Sequence, residues 1–124
     1  MMTRYIDVDD GKWGIIVVYD FDERDHDSLY AIMRTFGMSR PNIRKSIGIL
    51  MESNSGMAVS RDDLRMSVVF ISPTTSISQF WNSVSHELFH VEQAILDYYD
   101  QDYAGEPPAY LSGYLLQKVV ETID

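Results

Sequence analysis

Cysteine is absent from the chain. Disulfide bonds and thiolate metal sites are therefore excluded, and a tight metal site has to use histidine, aspartate or glutamate side chains. Histidine is itself scarce, with 3 in 124 residues. Two of them lie four residues apart in the stretch SHELFH, residues 85–90. This stretch is therefore the first place to look for a metal site.

The chain also has few basic side chains and no long apolar run. The chain has 10 Lys and Arg against 19 Asp and Glu, which gives a formal net charge of −9. Such a chain offers no electrostatic attraction to nucleic acid or to an anionic membrane. The apolar runs are too short to cross a bilayer, and the acidic start MMTRYIDVDD has no signal-peptide pattern. We therefore expect a cytoplasmic protein that binds neither nucleic acid nor membrane, with a secreted role and the oligomeric state left open.

The first part of the chain predicts strands around one helix. Residues 13–20, WGIIVVYD, are rich in β-branched side chains and predict a buried strand. Residues 21–38 begin with acids and continue with apolar residues at helical spacing, which predicts an amphipathic helix. Three further strands are predicted at residues 46–53, 57–61 and 65–72, the first two separated by the turn signal NSG.

The last third of the chain is helical in pattern. Between residues 76 and 99 the apolar residues recur at a spacing that predicts one long amphipathic helix, with SHELFH in its middle. Two prolines after Glu106 suit the first turn of a final helix. The order β-α-β-β-β-α-α predicts a single α+β domain over residues 1–124, with a small sheet of three or four strands, one early helix, a long helix and a C-terminal helix.

The pattern His-Glu-x-x-His has a specific chemical meaning when it lies on a helix. His86 and His90 are one turn apart on the same face, so their imidazoles can bind one metal ion. Glu87 lies about 100° around the helix from His86, which suits a general base better than a third ligand. The alternative is a polar helix surface that carries two exposed histidines and no metal.

A third metal ligand is expected from the final helix. Glu106 follows His90 by sixteen residues, and a turn between them would fold the last helix back toward the histidines. Asp97, Asp100 and Asp102 are rival carboxylates. Glu106 also has a simpler interpretation, because acidic residues are favoured at helix N-termini.

These residues together resemble the zincin metallopeptidases, and within them the gluzincins. Residues 106–115, EPPAYLSGYL, are similar to the Glu-x-x-Ala segment of that group, with Glu106 and Ala109 in the matching places. The chain is also similar to small uncharacterised HExxH proteins of bacterial and phage origin. The resemblance extends over about residues 80–117, whereas the strands before it carry no motif.

The resemblance implies a minimal zincin-like fold and a zinc-dependent peptidase. In that case His86, His90 and Glu106 bind Zn²⁺, and Glu87 is the general base that takes a proton from the zinc-activated water. Tyr110 and Tyr114 are candidate donors to the developing oxyanion, although packing on an amphipathic helix is the favoured interpretation of both.

The resemblance also implies where a substrate binds. A peptide or protein substrate would pair with an edge strand beside the motif helix, either residues 57–61 or residues 65–72. The chain is short for a gluzincin and lacks room for the second subdomain that forms the far wall of the cleft. The alternative function is therefore a catalytically inactive zinc-binding or protein-interaction module of the same fold.

Overall fold

A computed structural model describes the backbone of residues 1–101 and 106–123, and the side chains of residues 1–101 and 108–123. It confirms the α+β class, with a mixed four-stranded sheet and helices on both of its faces. The strands are β1 (Met2–Val8), β2 (Trp13–Tyr19), β3 (Gly56–Arg61) and β4 (Met66–Ile71). The helices are α1 (His26–Thr35, after a 3-10 turn at Glu23–Asp25), α2 (Arg40–Leu50), α3 (Ile77–Tyr98) and α4 (Glu106–Ile123).

The order of the strands across the sheet is β1-β2-β4-β3. β2 and β4 are parallel, whereas β1 and β3 are the two outer strands and run antiparallel to their neighbours. The parallel pair in the middle requires a long connection, which contains α1, α2 and β3. β3 is therefore an edge strand that leaves one side of its backbone free of partners within the sheet.

Both faces of the sheet are covered, which explains why β2 is almost continuously apolar and buried. α1 and α2 pack on one face, where Leu29, Met33 and Ile43 contact Val18 and Phe70 in one core cluster. α3 and α4 pack on the other face. The core there contains the following buried side chains of the sheet and helices: Ile15, Val17, Val69, Ile71, Val84, Leu88, Val91, Ile95, Leu115 and Val119.

The predicted strand at residues 46–53 is wrong, because α2 occupies most of that segment. The Ser39 side chain caps the helix by accepting a hydrogen bond from the backbone N–H of Asn42, and a proline follows in the first turn. Ile43, Ile47 and Leu50 are buried at helical spacing. The short apolar run IGIL fits both a strand and a buried helix face. The Ser39 cap and the proline that follows it favour the helix.

β1 was not predicted, because the polar and charged residues of MTRYIDV leave only a short alternating apolar pattern. Its burial alternates, with Ile6 and Val8 inward and Tyr5 and Asp7 exposed, as expected for an edge strand covered on one face. One missed strand and one wrong strand leave the predicted count of three or four strands correct.

The long helix α3 agrees with its prediction to within a residue at each end. Its N-terminus is capped by Ser76, whose hydroxyl accepts a hydrogen bond from the backbone N–H of Gln79. α4 packs alongside α3 and also contacts the end of β1, where the backbone N–H of Asp9 donates to the Tyr114 hydroxyl. Within the described residues, no helix has the length and apolar character needed to span a membrane.

Candidate metal centre beside the edge of the sheet

The middle of α3 carries a group of side chains that could hold a metal ion. One ligand atom from each of His86, Glu87 and His90 lies within 4.8 Å of the other two. The two imidazole rings have their centroids 5.2 Å apart, as expected for residues one helical turn apart. Both histidines are exposed, so an ion could reach them from solvent.

Glu87 differs from the two histidines in its burial. It is 5% exposed and lies on the side of α3 that faces β3. Burial raises the pKa of the Glu87 carboxyl above its ordinary value, and the charges of His86 and His90 act in the opposite direction. The helix therefore presents two solvent-facing nitrogen ligands and one carboxylate held between them and the sheet.

Gly56, the first residue of β3, allows Glu87 to occupy this position. A Cβ atom at residue 56 would lie 3.0 Å from Glu87 Cγ, 3.1 Å from its Oε2 and 3.2 Å from the carbonyl oxygen of Phe70. Such contacts are tighter than most real Cβ contacts, so glycine is the residue that fits without displacement. This role was not predicted, because NSG indicates only a turn.

A groove of about 310 Å³ adjoins the metal-capable group. Its walls are the surface of α3, the segment that leads into β3 and ends at Gly56, and Ile49 near the end of α2. The loop before β3 is fixed by Asn54, which has φ of 61°, accepts a hydrogen bond from the Thr75 backbone N–H (3.0 Å) and donates to the Thr75 hydroxyl (3.2 Å). Four of the eight residues that line the groove are neutral and polar, namely Asn54, Ser55, Asn82 and Ser83; the others are Ile49, Gly56, His86 and Glu87.

The structure decides which of the two candidate strands lies at the edge. The segment predicted at residues 65–72 forms β4, which is paired on both sides, by β2 and by β3. The segment predicted at residues 57–61 forms β3, whose outer side is unpaired and which starts beside Glu87. An extended chain could therefore add to the sheet only at β3 on this side of the molecule.

The proposed third ligand, Glu106, is the first residue of α4. Its side chain lies outside the described residues, as does the rival Asp102, and the ligand role of Glu106 stays a prediction. Asp97 and Asp100 are exposed and do not join the metal-capable group. Among the side chains that the structure describes, that group has three members.

Tyr110 is not brought to the group formed by His86, Glu87 and His90. Its side chain is 73% exposed and lines a separate groove between α4 and the end of β1, together with Val8 and Asp9. Tyr114, on the same helix, bonds to the backbone of Asp9. The interpretation of both tyrosines as surface and packing residues is consistent with these positions.

No protein-family model, curated protein or solved structure matches this chain. The resemblance to zincins therefore stays a prediction from the motif residues of α3 and α4.

Proposed function

We propose that this protein is a zinc-dependent hydrolase that cleaves peptide bonds in an extended substrate. One observation carries the proposal: a buried glutamate lies between a metal-capable histidine pair and the first residue of an open edge strand. A helix surface that carried two histidines by chance would not require the following glutamate to be buried against a glycine of the neighbouring strand.

The donor set suits zinc. Two imidazoles four residues apart on a helix, with a carboxylate within reach, are ligands that zinc accepts, and the chain has no cysteine to favour a softer metal. His86 and His90 would hold the ion, with Glu106 as the proposed third protein ligand. The bound metal would act as a Lewis acid and lower the pKa of a water molecule.

Glu87 is the residue proposed to move the proton. Its carboxylate lies close to the histidines, and its burial restricts the positions that it can adopt. It would accept a proton from the attacking water and donate it to the leaving nitrogen of the cleaved amide. The contact with Gly56 keeps the carboxylate near the strand along which the substrate is proposed to lie.

The substrate class follows from the free edge of β3. An extended peptide can add to β3 through main-chain hydrogen bonds, which bind without regard to sequence. A peptide bound there would pass Gly56 and Glu87 at one end of the strand. The neutral, polar lining of the groove next to Glu87 favours an uncharged substrate side chain at that position.

The first experiment measures metal content in protein purified without a nickel column. We expect about one zinc per chain by mass spectrometry of metals. His86→Ala should weaken zinc binding by at least about 100-fold. His26→Ala is the matched control, because His26 lies on α1 with its ring against Tyr30 and should leave the metal content unchanged.

The second experiment tests catalysis with a peptide library. Glu87→Gln should abolish cleavage while zinc stays bound, since the two histidines remain. Absence of zinc from the wild-type chain, even after incubation with excess metal, would overturn the whole proposal. Cleavage that persists in Glu87→Gln would overturn the role of Glu87.

A second candidate function is a zinc-binding module that recognises a partner without turnover. It is favoured by the exposure of both histidines and by the small size of the groove beside them, about 310 Å³. Full zinc occupancy without cleavage of any peptide in the library would favour this function over the peptidase.

A further inference from the structure

A second pocket lies between α3 and α4 and contains an acidic side chain. Its volume is about 190 Å³, and Glu92 lies within it. Glu92 follows His90 by two residues and is therefore about 200° around α3 from that histidine. None of His86, Glu87 and His90 lines this pocket, although the Phe89 ring lies 6.1 Å from the His90 ring. The lining residues are Ser85, Leu88, Phe89, Glu92, Ser112, Leu115 and Leu116.

Glu92 is an unusual residue to find in this position. It is 7% exposed, and the hydroxyl of Ser112 on α4 donates a hydrogen bond to its Oε2. In the described part of the chain, no lysine, arginine or histidine nitrogen lies within 4.0 Å of its carboxylate. A buried carboxylate is costly unless it is paired, and one hydroxyl uses only part of its capacity to accept hydrogen bonds.

The walls around Glu92 are apolar and lead outward to an exposed rim. Leu88 and Leu115 are buried, whereas Phe89 is 54% exposed and Leu116 is 40% exposed. A ligand that complements this pocket has an aliphatic stem for the walls and a positive charge for the carboxylate. These are the two properties of a lysine or arginine side chain.

We propose that this pocket binds the side chain of a lysine from a protein partner. Lysine fits better than arginine because an ammonium can bind through one carboxylate oxygen, whereas a guanidinium in its parallel pairing has to share Glu92 Oε2 with Ser112. An ammonium has three donors, which the second oxygen of Glu92 and the hydroxyls of Ser85 and Ser112 can accept.

The charge of the whole chain indicates the kind of partner. A net charge of −9 attracts a basic protein surface and raises the rate at which it meets this one. The exposed Phe89 and Leu116 at the rim give such a partner apolar surface to cover around the lysine.

The test is an NMR titration of the ¹⁵N-labelled chain with N-acetyl-lysine N-methylamide. We expect amide shifts at Phe89, Glu92 and Ser112, with a Kd of about 1 mM, the range of a single ion pair with modest burial. The norleucine derivative has the same stem without the charge and should cause no saturable shift there. Equal shifts with both compounds, or none with the lysine derivative at about 50 mM, would overturn the proposal.

Two variants show whether the carboxylate is responsible. Glu92→Gln keeps an acceptor for Ser112 and removes the charge, and it should weaken binding of the lysine derivative about tenfold or more. Glu121→Gln makes the same change of charge on the surface of α4, where Glu121 pairs with Lys118, and should bind as the wild type does. Equal binding by all three proteins would contradict a site at Glu92. The comparison of lysine and norleucine compounds needs only the wild-type chain, so it holds even if Glu92→Gln does not fold.

Discussion

Replacing Gly56 with alanine tests the packing on which the candidate site depends. The added Cβ would lie 3.0 Å from Glu87 Cγ and 3.2 Å from the carbonyl oxygen of Phe70, which belongs to the paired strand β4. Overpacking of this kind costs about 1–3 kcal/mol. Alanine also has less conformational freedom than glycine in the unfolded chain, which stabilises the folded state by about 0.4–1 kcal/mol. We expect Gly56→Ala to lower the free energy of unfolding by about 1 kcal/mol, or Tm by about 3–6 °C.

Gly48→Ala is the matched control, with the opposite sign. Gly48 lies inside α2, and a Cβ there would have no atom within 4 Å. Alanine is favoured over glycine in a helix, so this variant should be more stable than the wild type by about 0.5 kcal/mol. Urea unfolding of the two variants, measured side by side, should show a lower free energy of unfolding for Gly56→Ala and a higher one for Gly48→Ala than for the wild type. A Gly56→Ala protein as stable as Gly48→Ala would refute the packing argument.

A double-mutant cycle assigns the cost of Gly56→Ala to its contact with Glu87. In a Glu87→Ala background, Cγ and the carboxylate are gone, and only the contact with the Phe70 carbonyl remains. Gly56→Ala should then cost less, by a coupling free energy of about 0.5–1 kcal/mol. An identical cost in both backgrounds would mean that the Glu87 side chain does not depend on residue 56 being glycine.

Three other predictions concern the metal, the loop before β3 and the start of α1. Zinc at 100 times its Kd should stabilise the wild-type chain by about 2.7 kcal/mol, measured as a rise in Tm that a chelator reverses and that His86→Ala does not show. Asn54→Ala removes two hydrogen bonds to Thr75 and places alanine at positive φ, so the free energy of unfolding should fall by about 1–3 kcal/mol in urea. The side chain of Arg24, together with its backbone N–H, lowers the pKa of Asp22 to about 2. The Asp22 carboxylate therefore stabilises the folded state above its unfolded pKa, and this contribution is lost as the pH falls toward 2. In Arg24→Ala, an NMR titration should show the pKa of Asp22 returning toward its ordinary value.

Local patterns predicted the parts of the molecule that depend on neighbouring residues. The spacing of apolar residues was enough to place α3, and the four-residue interval was enough to bring His86 and His90 together. The segment at α2 was predicted wrongly because a short apolar run fits a strand and a helix equally well, and its start signal lies several residues earlier.

Contacts between distant parts of the chain could not be predicted in the same way. Nothing near Gly56 in the sequence indicates that its missing side chain accommodates Glu87 from another element. The bond between Ser112 and Glu92 likewise depends on the way α4 packs against α3, which periodicity does not determine. The choice between β3 and β4 as the edge strand required the order of the strands across the sheet.

The parallel pairing of β2 with β4 also has a consequence for the order of folding. These strands can pair only after the intervening chain, with α1, α2 and β3, has been closed into a loop, which makes the pairing slow. His86 and His90 need only one turn of one helix, so they can meet a metal ion early in refolding. Glu87 becomes buried against Gly56 only when α3 packs against β3 in the assembled sheet. Refolding in the presence of metal should therefore show metal binding first and the burial of Glu87 after a lag.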